Sequence, residues 1–187
     1  MIITMSDIQV RKVNFEFPDD VELYAIPSMP RVSLFIAAFS LTMPYLEPYL
    51  IRMMLEARDS VDDENLLEDM QRFCQQEGNH YRNHARINEI IRAKFNDKTT
   101  NDLVRIEREL KADYEKFLKQ ESLAFNLAYA EGFEAMTCAA AMAGASNKSP
   151  VKISRGWDEL MDWHGLEEIE QWHSTFTSIS LAVIPIA

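Results

Sequence analysis

The stretch Met70–Asn88, MQRFCQQEGNHYRNHARIN, constrains this chain more than any other. At about 100° per residue of helix, Glu77, His80 and His84 share one face with Leu66, Met70, Phe73, Cys74, Tyr81, Ile87 and Ile91. Arg72, Gln75, Asn79, Arg82, Asn83 and Arg86 fall on the other side, which reads as an ordinary solvent face. Three ionisable groups therefore point into a core. Burying a carboxylate and two imidazoles without partners costs several kcal/mol. A cation removes that cost, and the spacing Glu-x-x-His lets both side chains reach one ion. The rest of the chain is expected to bring further ligands to this face.

A chain of 187 residues, 47% of them hydrophobic, has the size and apolar content for one compact unit. Its 30 acidic against 19 basic residues leave a formal charge of −11, which repels a nucleic-acid backbone, so no nucleic-acid partner is expected. Cys74 and Cys138 are too few for a disulfide framework and lie in helical stretches, which suits a reducing cytoplasm. The N-terminal MIITMSDIQVRKV has no basic region followed by an apolar run and does not read as a signal peptide. The apolar C-terminal stretch Ile179–Ala187 is well short of the roughly 20 residues of a spanning helix. Weak contact of this end with a membrane is expected, and no crossing.

Residues 1–30 mix alternating apolar positions with Pro18, Pro27 and Pro30 and predict an extended arm over a bundle formed by 31–187. From Arg31 to Arg58 the chain is apolar on nearly every side, a buried helix expected to bend or restart at Pro44 and Pro48. Glu47 stands alone there, with Met43, Leu50, Ile51 and Met54 on its face. Polar hinges at Ser60–Asn65 and Asn96–Asn101 bound the central helix and offer N-cap residues. Residues 102–145 are helical in composition, with a break expected near Lys119–Ser122. The second half is rich in alanine and glycine, as where helices crowd together, and Glu134 stands out in it beside Thr137 and Cys138, with Glu131 as competitor. A loop over Asn147–Arg155 precedes the last helix, from about Gly156 to Ala182.

Two faces of that last helix compete. Glu170 and His173 copy the Glu-x-x-His spacing but share a polar side with Glu159, Asp162, Thr177 and Ser180, expected to be solvated. His164, Glu168 and Gln171 fall within about 60° of one another, on the face of Trp157, Leu160 and Met161, with Glu167 at its edge. The second face is preferred. Four helices thus each offer inward ligand types: Glu47, then Glu77 with His80, then Glu134, then His164 with Glu168. That is close to the ferritin-like arrangement, in which two helices give one Glu each and two give Glu-x-x-His. The expected fold is therefore all-α, a ferritin-like four-helix bundle with an extended N-terminal arm. His84 is either a third imidazole ligand or a partner that orients one, and Glu167 and Gln171 are open in the same way.

The blocks around Glu47, RFCQQEGNHYRNHARIN, FEAMTCA and WHGLEEIEQWH also resemble a family, the bacterial proteins catalogued as predicted metal-dependent hydrolases, which are similar to the ferritin-like superfamily. The family pattern reads QE-x-x-H-x-x-x-H, then a Glu followed by a Thr, then WH-x-x-EE-x-EH. Glu77, His80, His84, Glu134, Thr137, His164, Glu167, Glu168 and Glu170 match it, and Gln171 stands where the family has a histidine. The resemblance also implies chains that run on past this block; a homodimer is one arrangement that would replace what they supply. Carboxylates with imidazoles suit two divalent transition ions, iron first and manganese or zinc as alternatives. The expected chemistry is a di-iron oxidase or oxygenase acting on a small organic substrate, because His164-x-x-x-Glu168-x-x-Gln171 also resembles the last-helix motif of di-iron N-oxygenases. The alternatives are hydrolysis by a metal-activated water, which the family description implies, and a non-catalytic metal-binding bundle.

Overall fold

The structure is a computed structural model that describes residues 8–18, 20–146, 151–174 and 176–183; the side chains of 146, 172–174, 176, 177, 180 and 181 lie outside that description. Among the described residues there are six helices and no strand. They are α1 (Pro30–Arg58), α2 (Glu64–Arg92), α3 (Asp97–Gln120), α4 (Leu123–Ser146), α5 (Arg155–Ser174) and α6 (Phe176–Val183). The chain is an all-α bundle in which α1 packs most extensively on α2, and α4 on α5.

Local chemistry explains the boundaries. Asp63 caps α2 by accepting from the N–H groups of Asn65 and Leu66 at 2.9 and 3.1 Å, and Asn96 caps α3 through Thr99 N at 2.9 Å. Glu121 and Ser122 separate α3 from α4, where Ser122 Oγ accepts from Phe125 N at 3.2 Å. The last helix, expected from about Gly156 to Ala182, is described as α5 and α6, with residue 175 between them outside the described residues.

Of the bend or restart expected at the prolines, the restart does not occur: one helix of 29 residues passes through both. Pro44 has no N–H for the carbonyl of Ser40, but Asn88 Nδ2 donates to that carbonyl at 2.8 Å. The lost backbone bond is thereby replaced from α2. By length and composition alone α1 is apolar enough to cross a membrane, and 44% of its most apolar window is buried against the rest of the protein. The C-terminal residues 184–187 lie outside the described residues, while Ile179 before them is fully buried in the core.

Two apolar clusters bracket the polar centre along the helix axes. The first joins Met43, Leu46, Leu50, Met53 and Met54 of α1 to Met70 and Phe73 of α2 and Leu127 and Ala130 of α4. Tyr49 stacks on Tyr114 within it, ring centroids 4.8 Å apart. The second joins Ala37, Ile87, Ile91, Trp157, Leu160 and Trp163, and Val13, Phe15 and Phe17 of the arm pack against it. At the α4–α5 crossing a Cβ on Gly165 would stand 3.2 Å from Ala141 Cβ, so glycine admits the close approach that the alanine-rich sequence leads one to expect.

The arm corrects the reading of α2. Asn79 and Asn83, expected on a solvent face, are buried because residues 9–15 run over them. Gln76 Nε2 donates to Gln9 O at 3.1 Å, Asn79 Nδ2 to Arg11 O at 3.2 Å and Asn83 Nδ2 to Val13 O at 3.1 Å, while Asn83 Oδ1 accepts from Phe15 N at 3.2 Å. Tyr81, placed by its spacing on the core face, is 40% exposed.

Candidate metal centre

Glu47, Glu77, His80, His84, Glu134, His164, Glu167, Glu168 and Gln171 are all buried. Their helices bring them to one place from four directions. One ligand atom each of Glu77, His80 and Glu168 lies within 4.8 Å of the others, and the same holds for Glu47, His80 and His164. The two trios share His80. Glu134 belongs to neither and borders them from α4, with its Oε2 unpartnered. Glu131, its competitor, is only partly buried.

Hydrogen bonds around the centre assign a role to each ring nitrogen. Asn88 Nδ2 faces the Ser40 carbonyl, so Asn88 Oδ1 faces Ser40 Oγ at 2.7 Å and can only accept. The single hydroxyl proton of Ser40 goes there. Ser40 Oγ must then accept from His84 Nδ1 at 2.8 Å. Burial and the neighbouring His164 and His80 lower the pKa of His84 well below its ordinary value, so the ring is neutral and its Nε2 accepts from His164 Nδ1 at 2.7 Å. The other nitrogen of His164, Nε2, lies 2.7 Å from Glu168 Oε1. Both nitrogens of His84 are thus engaged, Nδ1 with Ser40 and Nε2 with His164.

His80 is held in the opposite sense. Its Nε2 bonds Glu167 Oε2 at 2.9 Å, so Glu167 stands behind the ring. Its Nδ1 has no hydrogen-bond partner and lies 3.5 Å from Glu77 Oε1 and 3.8 Å from Glu168 Oε1. Trp163 meets the ring edge-on with centroids 5.0 Å apart. The Thr137 hydroxyl donates to Glu168 Oε2 at 2.5 Å, leaving Oε1 of that carboxylate toward the histidines. Gln171 Nε2 donates to Glu77 Oε1 at 2.6 Å, and its Oε1 has no partner.

The electrostatics describe a centre with too much negative charge. Burial, then the charge of Glu77, pushes the Glu47 carboxyl well above the usual range; burial, then Glu168 and Glu77, does the same to Glu134. Burial alone would raise Glu168, but the His164 hydrogen bond and charge bring it down to about 2. Burial opposes protonation of His80, yet Glu167 and Glu77 raise its pKa well above the ordinary value. Protons sit where a cation would.

The preferred face of α5 is the one that meets the centre. The rejected pair fares otherwise than expected: Glu170 is partly buried and bound by Arg11 at 2.5 and 2.9 Å, whereas the side chain of His173 lies outside the described residues. Sequence reasoning missed Ser40, Asn88 and Arg11. Asn88 lies one turn after His84 and Pro44 one turn after Ser40, so both signals were present as spacings. For Arg11 the only signal was the alternation of the arm.

No curated protein and no solved structure matches this chain. A family model does, described as predicted metal-dependent hydrolase, and its match over residues 9–177 takes in the arm as well as all four helices that build the centre. On that match the chain belongs to the family of predicted metal-dependent hydrolases.

Proposed function

We propose that the centre binds divalent transition ions and that the protein hydrolyses a small organic substrate. One observation carries the reading: Glu47 Oε1 and Oε2, His80 Nδ1, Glu134 Oε2 and Gln171 Oε1 are buried without a hydrogen-bond partner around one centre. Such a set of unpaired oxygens and an imidazole nitrogen, with no thiolate among them, fits manganese, iron or zinc. Glu77, His80 and Glu168 would hold one ion, and Glu47 with His164 a second; His80 Nδ1 is one lone pair and serves only one of them. Glu134 closes the set from α4.

A bound ion of this kind would lower the pKa of a water and polarise the carbonyl or phosphoryl group whose carbon or phosphorus that water attacks. The chain's own residues do the rest. Glu134 Oε2, unpaired and with a raised proton affinity, accepts the proton of the attacking water. Thr137 holds Glu168 in place, and the Asn88–Ser40–His84 series keeps His164 in one tautomer. The first expectation from the sequence, oxygen chemistry, rests on the same donor set and gains nothing from the family match, which supports hydrolysis.

The test is metal content and turnover together. Protein stripped with a chelator should bind Mn²⁺ or Zn²⁺ with release of protons, because Glu47, Glu134 and His80 hold protons when no cation is present. Affinity should therefore fall as pH falls from about 8 to about 6, and a panel of esters, amides and phosphoesters should be cleaved only by the reloaded protein. Oxygen uptake by the ferrous form with no hydrolysis of the panel would move the reading to an oxygenase. Gln171→His is expected to tighten binding about tenfold, or about 1.4 kcal/mol, in a calorimetric titration with Mn²⁺. Unchanged binding would show that position 171 serves Glu77 and not the ion.

A further inference from the structure

Arg11 touches none of the proposed ligands, yet it stands directly behind one. Its backbone N–H reaches Glu167 Oε1 at 3.2 Å and its Nη1 reaches the same oxygen at 3.5 Å. The other oxygen of Glu167 takes His80 Nε2, and the far nitrogen of that ring is the unpartnered one facing Glu77 and Glu168. Glu167 is fully buried, so its charge needs the guanidinium and the amide that the arm delivers. Glu170 clamps the guanidinium from its outer side at 2.5 and 2.9 Å.

We propose that the arm is a metal-linked strap, with Arg11 the positioning residue that holds Glu167 so that His80 presents Nδ1 to the ion. This rests on the metal-centre reading above. An ion on Nδ1 draws density from the ring and makes its Nε2–H a stronger donor to Glu167. A stronger demand on Glu167 is in turn a stronger hold on Arg11. The coupling is reciprocal by thermodynamic necessity: if the docked arm favours the ion, the ion favours the docked arm by the same factor. Val13, Phe15 and Phe17 pack into the second core cluster independently of this contact, so loss of the Arg11 charge leaves the arm tethered.

Hydrogen exchange on the full chain, with and without saturating Mn²⁺, reads the arm, and calorimetry with Mn²⁺ reads the site. In the wild type, Mn²⁺ should slow exchange across residues 9–15. Arg11→Met keeps the alkyl stem and removes the charge; it should weaken Mn²⁺ binding about tenfold and abolish the protection that Mn²⁺ gives the arm. Arg11→Lys should recover part of both. Arg86→Met loses a contact with Asn14 of the arm that does not reach Glu167, and should bind Mn²⁺ as the wild type does. Wild-type Mn²⁺ binding with an arm indifferent to the ion, or with undiminished affinity in Arg11→Met, would overturn the strap alone. A wild type that binds no divalent ion would instead overturn the metal centre beneath it.

Discussion

Glu134→Gln should make the metal-free protein more stable and the metal-dependent activity vanish. Glu47, Glu77, Glu134 and Glu168 converge in a buried centre where the nearby cationic groups are imidazoles. Gln has nearly the shape of Glu, needs no proton to be neutral, and keeps a donor for Glu168. Relief of buried charge is worth about 1–2 kcal/mol at the lower end of such replacements, which for a domain of this size raises Tm by about 2–8 °C. The sign of the pH dependence follows from the raised pKa of Glu134: its contribution to stability is full below the unfolded value and is lost as pH rises through the folded one. Glu47 and His80 act in the same direction, and His84, whose pKa is lowered, acts against them. Metal-free wild type should therefore lose stability as pH rises through neutrality, and Glu134→Gln should lose less. Thermal melts in the presence of chelator from about pH 5 to about pH 8 measure both. A variant less stable than the wild type at every pH would mean that Glu134 is held by partners and not strained.

The second large effect is expected at His80. His80→Ala removes the one residue common to both trios and leaves Glu167 paired with Arg11. Binding of Mn²⁺ should fall beyond the about 100-fold that loss of an outer partner costs, whereas Arg11→Met stays within it. The helix itself should persist, because Asp63 still caps α2, and Met70, Phe73, Ile87 and Ile91 still bury it on both sides of the gap. Circular dichroism checks the helix and calorimetry the ion. Retention of tight binding would place the ligand nitrogens elsewhere.

The bundle was legible where a local rule decides. Periodicity marked the helices, Asn96 its cap, and the turn near Ser122 its break. The buried polar face of α2 was legible because Glu77 and His80 are polar among apolar neighbours, and the buried face of α5 because Trp157 and Leu160 accompany His164 and Glu168. Where a partner distant in sequence decides, spacing failed. Asn79 and Asn83 have the composition of a solvent face and are buried by residues some seventy positions earlier. Pro44 has the composition of a break and is carried through by Asn88. Glu170 has the look of a solvated acid until Arg11 arrives beside it. The reaction was not legible at all, since four carboxylates and imidazoles serve oxygen activation and hydrolysis alike.

The carboxamides of α2 also make the arm a measured length. Gln76, Asn79 and Asn83 advance by three and four positions along a helix while reading the main chain of Gln9, Arg11, Val13 and Phe15, which advances by two. Because an extended chain turns successive side chains to opposite sides, the residues packed toward the bundle over 11–17 are odd-numbered, and Lys12, Asn14 and Glu16 face outward. A slip of one residue would reverse every side chain, as in a misregistered strand: Lys12 and Glu16 would turn inward, and Phe15 and Phe17 would turn to water. A slip of two keeps the faces but puts Val13 opposite Glu167, with no charge to offer it. The spacing from Arg11 to Phe15 is therefore held to a single value, and a deletion inside it would sever the arm from the centre even where no residue in contact with the centre had changed.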